Sequence, residues 1–395
     1  MNHSNNKPLR ILLTAVTFLP DIGGSELGMA RVIKGLAEYP NVSIVILSPN
    51  NHVKKLKEQF PECTVYGTPH HLKEPFILGY ELTFAFKLLW LCIRYRIQII
   101  HCHWSGFPAN LIRVIGSLLR IPYFITVCGG DVNEVSQIEY GLTLSSVYKK
   151  IVIQNLKKAA HVIAKSPSLK HRVQQLVPAQ KSVSIIPNII FFQQKITQKV
   201  SAKPPIIVTI ARNHPVKHYE LALMAIAELK KIRTDFKYII IGKDTDQLMP
   251  LAKSLNIEQN INILGQQSES VIHDMLSQST VFFLTSYIEG CPQVCFQALS
   301  YNLPLVLTQN PGLKDLVTPI GSCEGKVGNS STELASALND YLNHRKKINN
   351  YDVVDSITTA DIIKAHLTLY YDCCDQKKIT PMTLWYKIKE QLCAE

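Results

Sequence analysis

The sequence predicts an α/β protein with two Rossmann-like domains, each built on a parallel sheet covered by helices. The chain has 395 residues, which is long for one hydrophobic core and sufficient for two domains of ordinary size. Short apolar runs alternate with amphipathic helical patterns through both halves, as is typical of parallel sheets buried on both faces. An apolar content of 46% with 18% charged residues describes a folded globular protein and excludes a disordered one.

Strands and helices alternate in the predicted order of elements. In the first half we predict strands at residues 10–17, 43–47, 99–102, 123–127 and 162–164, with helices at 26–38 and 82–96. In the second half we predict strands at 206–211, 237–241, 261–264, 281–284 and 305–307, with helices at 219–232, 247–255, 271–276 and 293–300.

The domain boundary is predicted near residues 189–204, where a polar, basic stretch ends in two prolines. The first domain is therefore expected at residues 1–190 and the second at 205–370. The remaining segment, 371–395, carries Leu384, Ile388 and Leu392 at helical spacing. It predicts one amphipathic C-terminal helix that packs on the body of the protein.

No export signal, membrane span or metal-type cysteine spacing is recognised. The apolar run after residue 10 leads directly into Pro20 and Asp21, as a first strand does and a signal peptide does not. The longest apolar stretch, 76–100, is interrupted by four charged residues. The ten cysteines are scattered without a CxxC pair. We therefore expect a cytoplasmic protein with reduced thiols and without a metal or disulfide framework.

The charge is concentrated in the first half of the chain. Residues 1–195 hold 22 Lys and Arg against 10 Asp and Glu, whereas residues 196–395 hold 20 of each. This asymmetry indicates an anionic partner for the first half, which is membrane phosphate, nucleic acid or a phosphorylated acceptor. The alternative is a solvated basic surface that only maintains solubility.

Ligands of open α/β sheets bind beyond the carboxyl ends of the strands, so the residues after each strand are the candidates. Gly23 and Gly24 follow the first predicted strand and open a helix, where backbone N–H groups can hold a phosphate. They do not form the GxGxxG fingerprint, which counts against NAD binding. Arg212 ends a strand and Lys217 follows just before a helix, so these two cations can neutralise a pyrophosphate; the alternative is an ordinary surface pair.

A second candidate loop follows the strand at 281–284. Glu289 is at its apex, where the carboxylate can accept hydrogen bonds from sugar hydroxyls, and the N–H groups of Gly290 and Cys291 face the same pocket. Gln297 begins the second turn of the following helix and is expected to point to this pocket. Gly242, directly after the strand at 237–241, is assigned to the same donor side.

These motifs together resemble the GT-B glycosyltransferases of family 4, also called group 1. Their donor domain carries R-x(4)-K and E-x(7)-E, which correspond here to Arg212 with Lys217 and to Glu289 with Gln297. The resemblance implies that Arg212 and Lys217 bind the diphosphate, that Glu289 contacts the sugar, and that residue 297 contacts the ribose. Gln297 replaces the second glutamate and can still donate and accept hydrogen bonds, so we expect tuned donor binding. The implied architecture is two Rossmann-like domains with a cleft between them.

The resemblance extends over nearly the whole chain. GGSE at 23–26, TVCGGD at 126–131, IIPNI at 185–189 and PGLKDLV at 311–317 match family motifs, with Asp315 at an acidic position. It implies that the first domain binds the acceptor through His103, Cys128, Gly129 and Asp131. Cys128 stands where the family usually has histidine, and Asp131 is the candidate for orienting the acceptor hydroxyl.

Two further patterns resemble metal sites but favour other roles. Asp244 and Asp246 form a DxD directly before a helix, where capping of the helix is the preferred role. His101 and His103 alternate on a strand and share one face, but further metal ligands are missing. We expect pocket-lining or packed histidines, and neither a metal nor a cofactor.

The implied activity is retaining, metal-independent transfer of a hexosyl group from a UDP- or GDP-sugar to a saccharide or lipid-linked saccharide, in cell-surface polysaccharide or lipopolysaccharide synthesis. Arg212, Lys217 and the glycine-loop N–H groups would stabilise the departing diphosphate in a front-face attack. An anionic inner-membrane surface is the expected partner of a basic set of residues, which consists of Lys87, Arg94, Arg96, Lys149, Lys150, Lys157 and Lys158.

Other functions remain open at this point. They are a nucleotide-sugar epimerase or a phosphorylase of the same fold, and a non-catalytic nucleotide-sugar-binding protein suggested by Cys128 and Gln297. A phosphorylase would need a cofactor lysine in a recognisable setting, which is missing. Binding of nucleic acid would explain the charge but leaves the second half without a role, so no nucleic-acid partner is expected.

Overall fold

The computed structural model describes residues 8–15, 23–69, 78–180, 182–188, 204–317, 325–343 and 358–374. These residues form two compact units. The first unit contains the described residues up to 188 together with 358–374, and the second contains those from 204 to 343.

Strands and helices alternate along both units. The first unit contains β1 Leu9–Ala15, α1 Gly24–Ala37, β2 Val42–Pro49, α2 Val53–Gln59, β3 Thr64–Thr68, α3 Leu78–Arg94, β4 Ile99–His103, α4 Ala109–Leu119, β5 Tyr123–Thr126, α5 Ser146–Lys158, β6 His161–Ala164, α6 Pro167–Leu176 and β7 Val183–Ile185. The second unit contains β8 Ile206–Ile210, α7 Tyr219–Ile232, β9 Lys237–Ile241, α8 Met249–Ser254, β10 Ile261–Gly265, α9 Glu269–Gln278, β11 Val281–Leu284, α10 Gln293–Ser300, β12 Leu305–Thr308, α11 Lys314–Val317, β13 Gly325–Gly328 and α12 Ser331–Asn343. The last described helix, α13 Thr359–Cys374, returns to the first unit.

The first unit has a seven-stranded parallel sheet in the order β3-β2-β1-β4-β5-β6-β7. Apolar side chains of α3, α4, α5 and α6 form one core with the strands. Helices α1 and α13 pack against each other at Gly35, where a Cβ atom would lie 2.5 Å from Cγ1 of Ile363. A larger side chain at residue 35 would therefore force the two helices apart.

The second unit has a six-stranded parallel sheet in the order β10-β9-β8-β11-β12-β13. Its strands are short, near-continuous apolar runs such as Val281–Leu284, which is buried along its whole length. Helices cover the sheet because a strand that is apolar on both faces must be buried on both faces.

Both sheets reverse their strand order once. The reversal lies between β1 and β4 in the first unit and between β8 and β11 in the second. At such a point the two following loops separate and leave a crevice at the carboxyl ends of the strands, where ligands of open α/β folds bind. The loops after β8 and β11 are therefore the first place to look for a site in the second unit.

The predicted α/β class with two parallel sheets is confirmed, and most predicted strands lie within two residues of the observed ones. The helices predicted at 219–232 and 293–300 have these bounds in the structure. Three strands were missed, β3, β7 and β13, and each lies at the edge of its sheet. β3 (TVYGT) and β13 (GKVG) contain glycine and polar residues, and β7 (VSI) has only three residues, so none of them forms a continuous apolar run such as that of β11.

The position of α13 corrects the predicted domain assignment. Residues 359–370 were placed in the second domain, but they form most of α13, which belongs to the first unit. The reason is packing, since Ile363 contacts Gly35 of α1 and the buried ring of Tyr370 lies against Phe124 of β5. Residues 371–374 complete α13, while the predicted amphipathic helix with Leu384, Ile388 and Leu392 lies outside the described residues.

Within the described part of the chain, no helix combines the length and the apolar character needed to cross a bilayer.

Candidate functional site

The loop after β8 presents two cations at the rim of the second sheet. Arg212 is exposed directly after the strand, and Lys217 ends a short 3-10 turn, Pro215–Lys217, that precedes α7. Nδ1 of His214 accepts a hydrogen bond from the N–H of Val216 at 3.2 Å and caps this turn. Burial lowers the pKa of His214, and so do the charges of Arg212 and Lys217, so the ring stays neutral and can accept.

Lys217 and Glu289 meet in a short ion pair. Nζ of Lys217 lies 2.6 Å from Oε1 of Glu289, and the two side chains are only 18% and 13% exposed. The hydroxyl of Ser286 donates to the same carboxylate oxygen at 2.6 Å. Among the described residues no hydrogen bond to Oε2 of Glu289 is found, and an ammonium group has three protons, so both side chains can bind a further group.

The loops after β8 and β11 are tied together by hydrogen bonds and ring stacking. The hydroxyl of Thr285 lies 3.0 and 2.9 Å from the carbonyl oxygens of Lys217 and His218. The N–H of Tyr287 donates to the carbonyl of Val216 at 2.8 Å, and its ring stacks on His218 at 4.0 Å. These contacts hold the backbone of both members of the ion pair before any ligand binds.

Gly312 packs directly against the backbone of the loop that carries Glu289. Gly312 has φ +84°, and a Cβ atom there would lie 2.0 Å from the carbonyl oxygen of Glu289. The N–H of Glu289 donates to the carbonyl of Pro311 at 3.1 Å. Both the conformation and the close approach require glycine. In the sequence this Pro-Gly pair is recognisable only as part of the motif at 311–317, and Asp315 of that motif lies in the first turn of α11.

Gly242 has a comparable role beside Arg212. A Cβ atom at this residue would lie 2.0 Å from the carbonyl oxygen of Ala211 and 2.9 Å from the backbone nitrogen of Arg212. Because glycine has no Cβ atom, residue 242 can lie this close to the backbone of the turn that carries Arg212. Its predicted contact with a donor stays a prediction.

The remaining predicted donor residues lie around α10. Gly290 and Cys291 are partly exposed between Glu289 and the start of the helix, and Gln297 is partly exposed within it. The strand, loop and helix therefore follow the order that the motif implied. The contact of Gln297 with a ribose stays a prediction.

In the first unit Asp131 is surrounded by backbone hydrogen-bond donors. Its side chain is fully buried, Oδ1 accepts from the N–H groups of Cys128 and Gly129 at 3.0 and 2.9 Å, and Oδ2 accepts from the N–H of Ser105 at 2.9 Å. Burial raises its pKa, and these hydrogen bonds act in the opposite direction. The carboxylate thus holds the loop at Ser105 and the Cys128–Gly129 turn together. Its contact with an acceptor hydroxyl stays a prediction.

The glycine loop and the TVCGGD turn of the first unit are in contact. Gly23 is the N-terminal cap of α1 and Gly24 is its first residue, and the hydroxyl of Ser25 donates to Sγ of Cys128 at 3.1 Å. Burial and the charge of Asp131 raise the pKa of Cys128 to about 12, so the thiol is neutral. Both loops are recognisable in the sequence, but no sequence pattern indicates this contact.

The paired histidines of β4 are packed residues. The ring nitrogens of His101 lie 2.5 Å from Oη of Tyr370 and 2.8 Å from Oγ1 of Thr126, which links α13 to β4 and β5. The ring of His103 lies 4.9 Å from that of His101 and is 3% exposed. Burial lowers the pKa of His101 to about 3 and that of His103 well below its usual range, so both rings are neutral. The contact of His103 with an acceptor stays a prediction.

No group of three or more His, Cys, Asp or Glu side chains in the described ranges is arranged to hold a metal ion. Asp244 occupies the cap position before the turn Thr245–Leu248, but its carboxylate makes no capping hydrogen bond. The predicted capping bond is therefore wrong. Asp244 instead adopts the left-handed conformation (φ +61°), which aspartate tolerates better than most residues, and Thr245 donates to the carbonyl of Gly242 at 2.9 Å.

Both halves of the chain match known family models. Residues 22–191 match the model described as Glycosyltransferase Family 4, and residues 192–352 match the model described as Glycosyl transferases group 1.

One relative and two solved structures show how far the similarity reaches. An undecaprenyl-diphosphate-linked saccharide 4-α-N-acetylgalactosaminyltransferase of Campylobacter jejuni is 24% identical over 300 residues, which cover 73% of this chain and 78% of the relative. The lipopolysaccharide outer core galactosyltransferase WaaB matches with a TM-score of 0.71 at 16% identity, over 92% of this chain and 99% of the other. Anabaena HepE in complex with UDP matches with a TM-score of 0.67 at 16% identity, over 98% and 99%. The two structural matches establish a common GT-B fold.

Proposed function

The chain belongs to the group 1 glycosyltransferases with the GT-B fold, and on this basis we propose that it transfers a hexosyl group from a UDP- or GDP-sugar to a lipid-linked saccharide with retention of configuration. The product would be part of a cell-surface polysaccharide or lipopolysaccharide. The second unit holds the donor, and the first unit binds the acceptor.

One observation carries the donor part of the proposal. The ion pair of Lys217 and Glu289 lies after β8 and β11, the two strands that flank the reversal of strand order in the second sheet. Exposed Arg212 lies in the same loop as Lys217. A diphosphate bound at this rim would be neutralised by the two cations, while Oε2 of Glu289 accepts hydrogen bonds from the sugar hydroxyls.

The same residues support the chemical step. The bond between the anomeric carbon and the diphosphate oxygen breaks, and the acceptor oxygen forms its bond to that carbon on the same face. The proton of the acceptor hydroxyl passes to the departing phosphate. Arg212 and Lys217 stabilise the negative charge that develops on the diphosphate, which lets the reaction proceed without a divalent metal.

The acceptor is proposed to be attached to a lipid phosphate. The excess of positive charge lies in residues 1–195, and the Campylobacter relative is named for a diphospho-undecaprenol acceptor. In this unit Asp131 acts as a positioning residue for the Cys128–Gly129 turn, and His103 remains the candidate for contact with the acceptor.

A thermal-shift series with UDP, GDP and their sugars, each with and without EDTA, tests the donor proposal. We expect stabilisation by one nucleotide series that EDTA leaves unchanged. Stabilisation by none of these ligands would overturn the donor site, and stabilisation that needs an added divalent cation would overturn metal independence.

A further inference from the structure

Trp104, the residue directly after β4, has a backbone conformation that tryptophan rarely adopts. Its φ angle is +110°. Seven other non-glycine residues in the described ranges have a positive φ, and all seven lie between +49° and +61°, within or close to the small left-handed region. Trp104 lies well outside that region, where glycine alone is free of strain. Such strain persists only when the surrounding structure imposes it, and it is concentrated at functional sites.

Hydrogen bonds on both sides of Trp104 impose this conformation. The N–H of Trp104 donates to the carbonyl oxygen of Thr126 at 3.0 Å. The next N–H, that of Ser105, donates to Oδ2 of Asp131 at 2.9 Å, and the side-chain amide of Asn155 donates to the carbonyl oxygen of Ser105 at 3.0 Å. Asp131 and Asn155 are fully buried. They therefore hold the backbone next to Trp104 before any ligand binds.

Two glycines make room for the indole ring of Trp104. A Cβ atom at Gly106 would lie 3.1 Å from Nε1 of the indole, and one at Gly130 would lie 3.4 Å from Cη2 at the other end of the ring. The same Cβ at Gly130 would lie 2.7 Å from Oη of Tyr140, so a second aromatic residue borders that end. The ring thus lies along backbone that carries no side chain at these two points, and Trp104 remains partly exposed.

The position of Trp104 is that of a ligand-binding residue. It follows β4, which flanks the reversal of strand order in the first sheet, and ligands of open α/β sheets bind at this edge. In the part of the chain that the structure describes, no acceptor is found for the indole N–H, and this nitrogen is not among the enclosed polar atoms. Trp104 therefore offers both a partly exposed ring and an unused donor.

We propose that the indole ring of Trp104 is the platform on which a sugar ring of the acceptor stacks. A pyranose carries C–H bonds on its faces, which pack on an aromatic ring, and hydroxyl groups at its edge, which accept a hydrogen bond from Nε1. Asp131 and Asn155 are positioning residues for this platform. The inference rests on the proposed function in one respect, since it takes a saccharide bound by the first unit as the acceptor.

Saturation-transfer NMR of the full chain without nucleotide measures the binding of sugar rings directly. The probes are the methyl α- and β-pyranosides of glucose, galactose, N-acetylglucosamine and N-acetylgalactosamine. We expect transfer to at least one of them, strongest at the protons of one ring face, as stacking requires. Trp104→Gly should raise the Kd of that pyranoside roughly tenfold or more. Trp104→Phe keeps a ring without the N–H, so it should raise the Kd less and retain the one-face pattern.

Urea unfolding of the same variant distinguishes a ligand platform from a packing residue. Glycine is unstrained at φ +110°, so relief of strain offsets the loss of ring contacts in Trp104→Gly. Its midpoint of unfolding should therefore stay close to that of the parent. The matched control is Trp90→Ala on α3, where the side chain is 47% exposed and lies on a helix instead of at the end of a strand. The control should keep the parent's Kd for the pyranoside.

The donor also carries a pyranose ring, and thermal shifts separate the two sources. Trp104→Gly should retain the parent's shift with the nucleotide and with the corresponding sugar nucleotide, because both are proposed to bind the second unit. A smaller shift with the sugar nucleotide alone would assign the ring to the donor sugar and overturn the proposal.

Three further outcomes would overturn it. They are the absence of saturation transfer to every probe, a Kd in Trp104→Gly equal to that of the parent, and a clear decrease in the urea midpoint of Trp104→Gly. The parent's thermal shift with nucleotides is independent of all three. Failure of the platform and failure of the proposed donor site are therefore told apart.

Discussion

Replacing Lys217 by alanine should reduce both the stability of the second unit and the use of the donor. At 2.6 Å and an effective dielectric constant of about 20, the attraction to Glu289 is roughly 6 kcal/mol before desolvation is subtracted. Hydrogen bonds between charged groups contribute a net of about 2 kcal/mol. For a unit of this size, that corresponds to a decrease in Tm of roughly 4–8 °C. Loss of a cation that stabilises the departing diphosphate should lower turnover by about 10²–10³-fold.

The assay combines urea unfolding with a measurement of nucleoside diphosphate release from the sugar nucleotide that gives the largest thermal shift. Lys326→Ala is the matched control, because Lys326 pairs with Asp340 in the same unit while both side chains are 44% and 48% exposed. Solvent-exposed pairs contribute little, so the control should keep wild-type stability and turnover.

The combination Lys217→Ala with Glu289→Ala separates the pair from its two members. If the ion pair is the source of stability, the double variant should lose less than the sum of the single losses. The reasoning is refuted if Lys217→Ala matches the Lys326 control in unfolding and also retains normal turnover. Loss of stability with normal turnover would refute only the role of Lys217 at the diphosphate.

Three further predictions concern Gly312 below the Glu289 loop, the buried carboxylate of Asp131 and the buried ring of His101. Gly312→Ala should lower the free energy of unfolding of the second unit by at least about 2 kcal/mol, since the new Cβ would lie 2.0 Å from the carbonyl oxygen of Glu289. The control is Gly265→Ala, where φ is +65° but no atom lies near the new Cβ, and it should lower the free energy of unfolding by only about 1 kcal/mol in urea unfolding. Asp131→Asn should lower stability by about 2 kcal/mol because an amide nitrogen cannot accept the backbone N–H bonds, whereas a stable but inactive variant would argue for a catalytic role. The first unit should lose stability as pH falls from 6.5 towards 3, by about 1.4 kcal/mol per pH unit for each histidine that is protonated only when unfolded. His101 is such a group, with a pKa near 3 when folded, and urea unfolding that is constant between pH 7 and 5 would contradict this assignment.

The alternation of apolar strands and amphipathic helices was sufficient to predict both sheets. Buried strands such as β11 are short runs that are apolar along their whole length, and the amphipathic helical patterns between them mark where each strand begins and ends. The strands β3, β7 and β13 were missed because none of them contains a continuous apolar run of four residues. Residues 359–370 were assigned to the wrong unit because they follow the second domain in the chain, whereas their packing partners Gly35 and Phe124 lie more than 200 residues away.

Spacing along the chain identified Arg212, Lys217 and Glu289 as candidates, because each follows a predicted strand. It gave no sign of Gly312 beneath the Glu289 loop or of the contact between Ser25 and Cys128, since these depend on distances between separate loops. Asp131 was expected to orient the acceptor hydroxyl, but its burial and its three backbone partners were not visible in the pattern.

Helix α3 shows a related limit, because part of its apolar surface stays exposed at Leu82, Phe86, Trp90 and Ile93. A helix that is apolar on two faces resembles a buried core helix in sequence, and only the packing shows which face remains in solvent. Local composition and spacing thus determined the class of fold, the family motifs and the charge of each half. Which side chains are enclosed, which pairs meet and which surfaces stay open depended on contacts between residues far apart in the chain, because burial and electrostatic pairing are properties of the packed molecule.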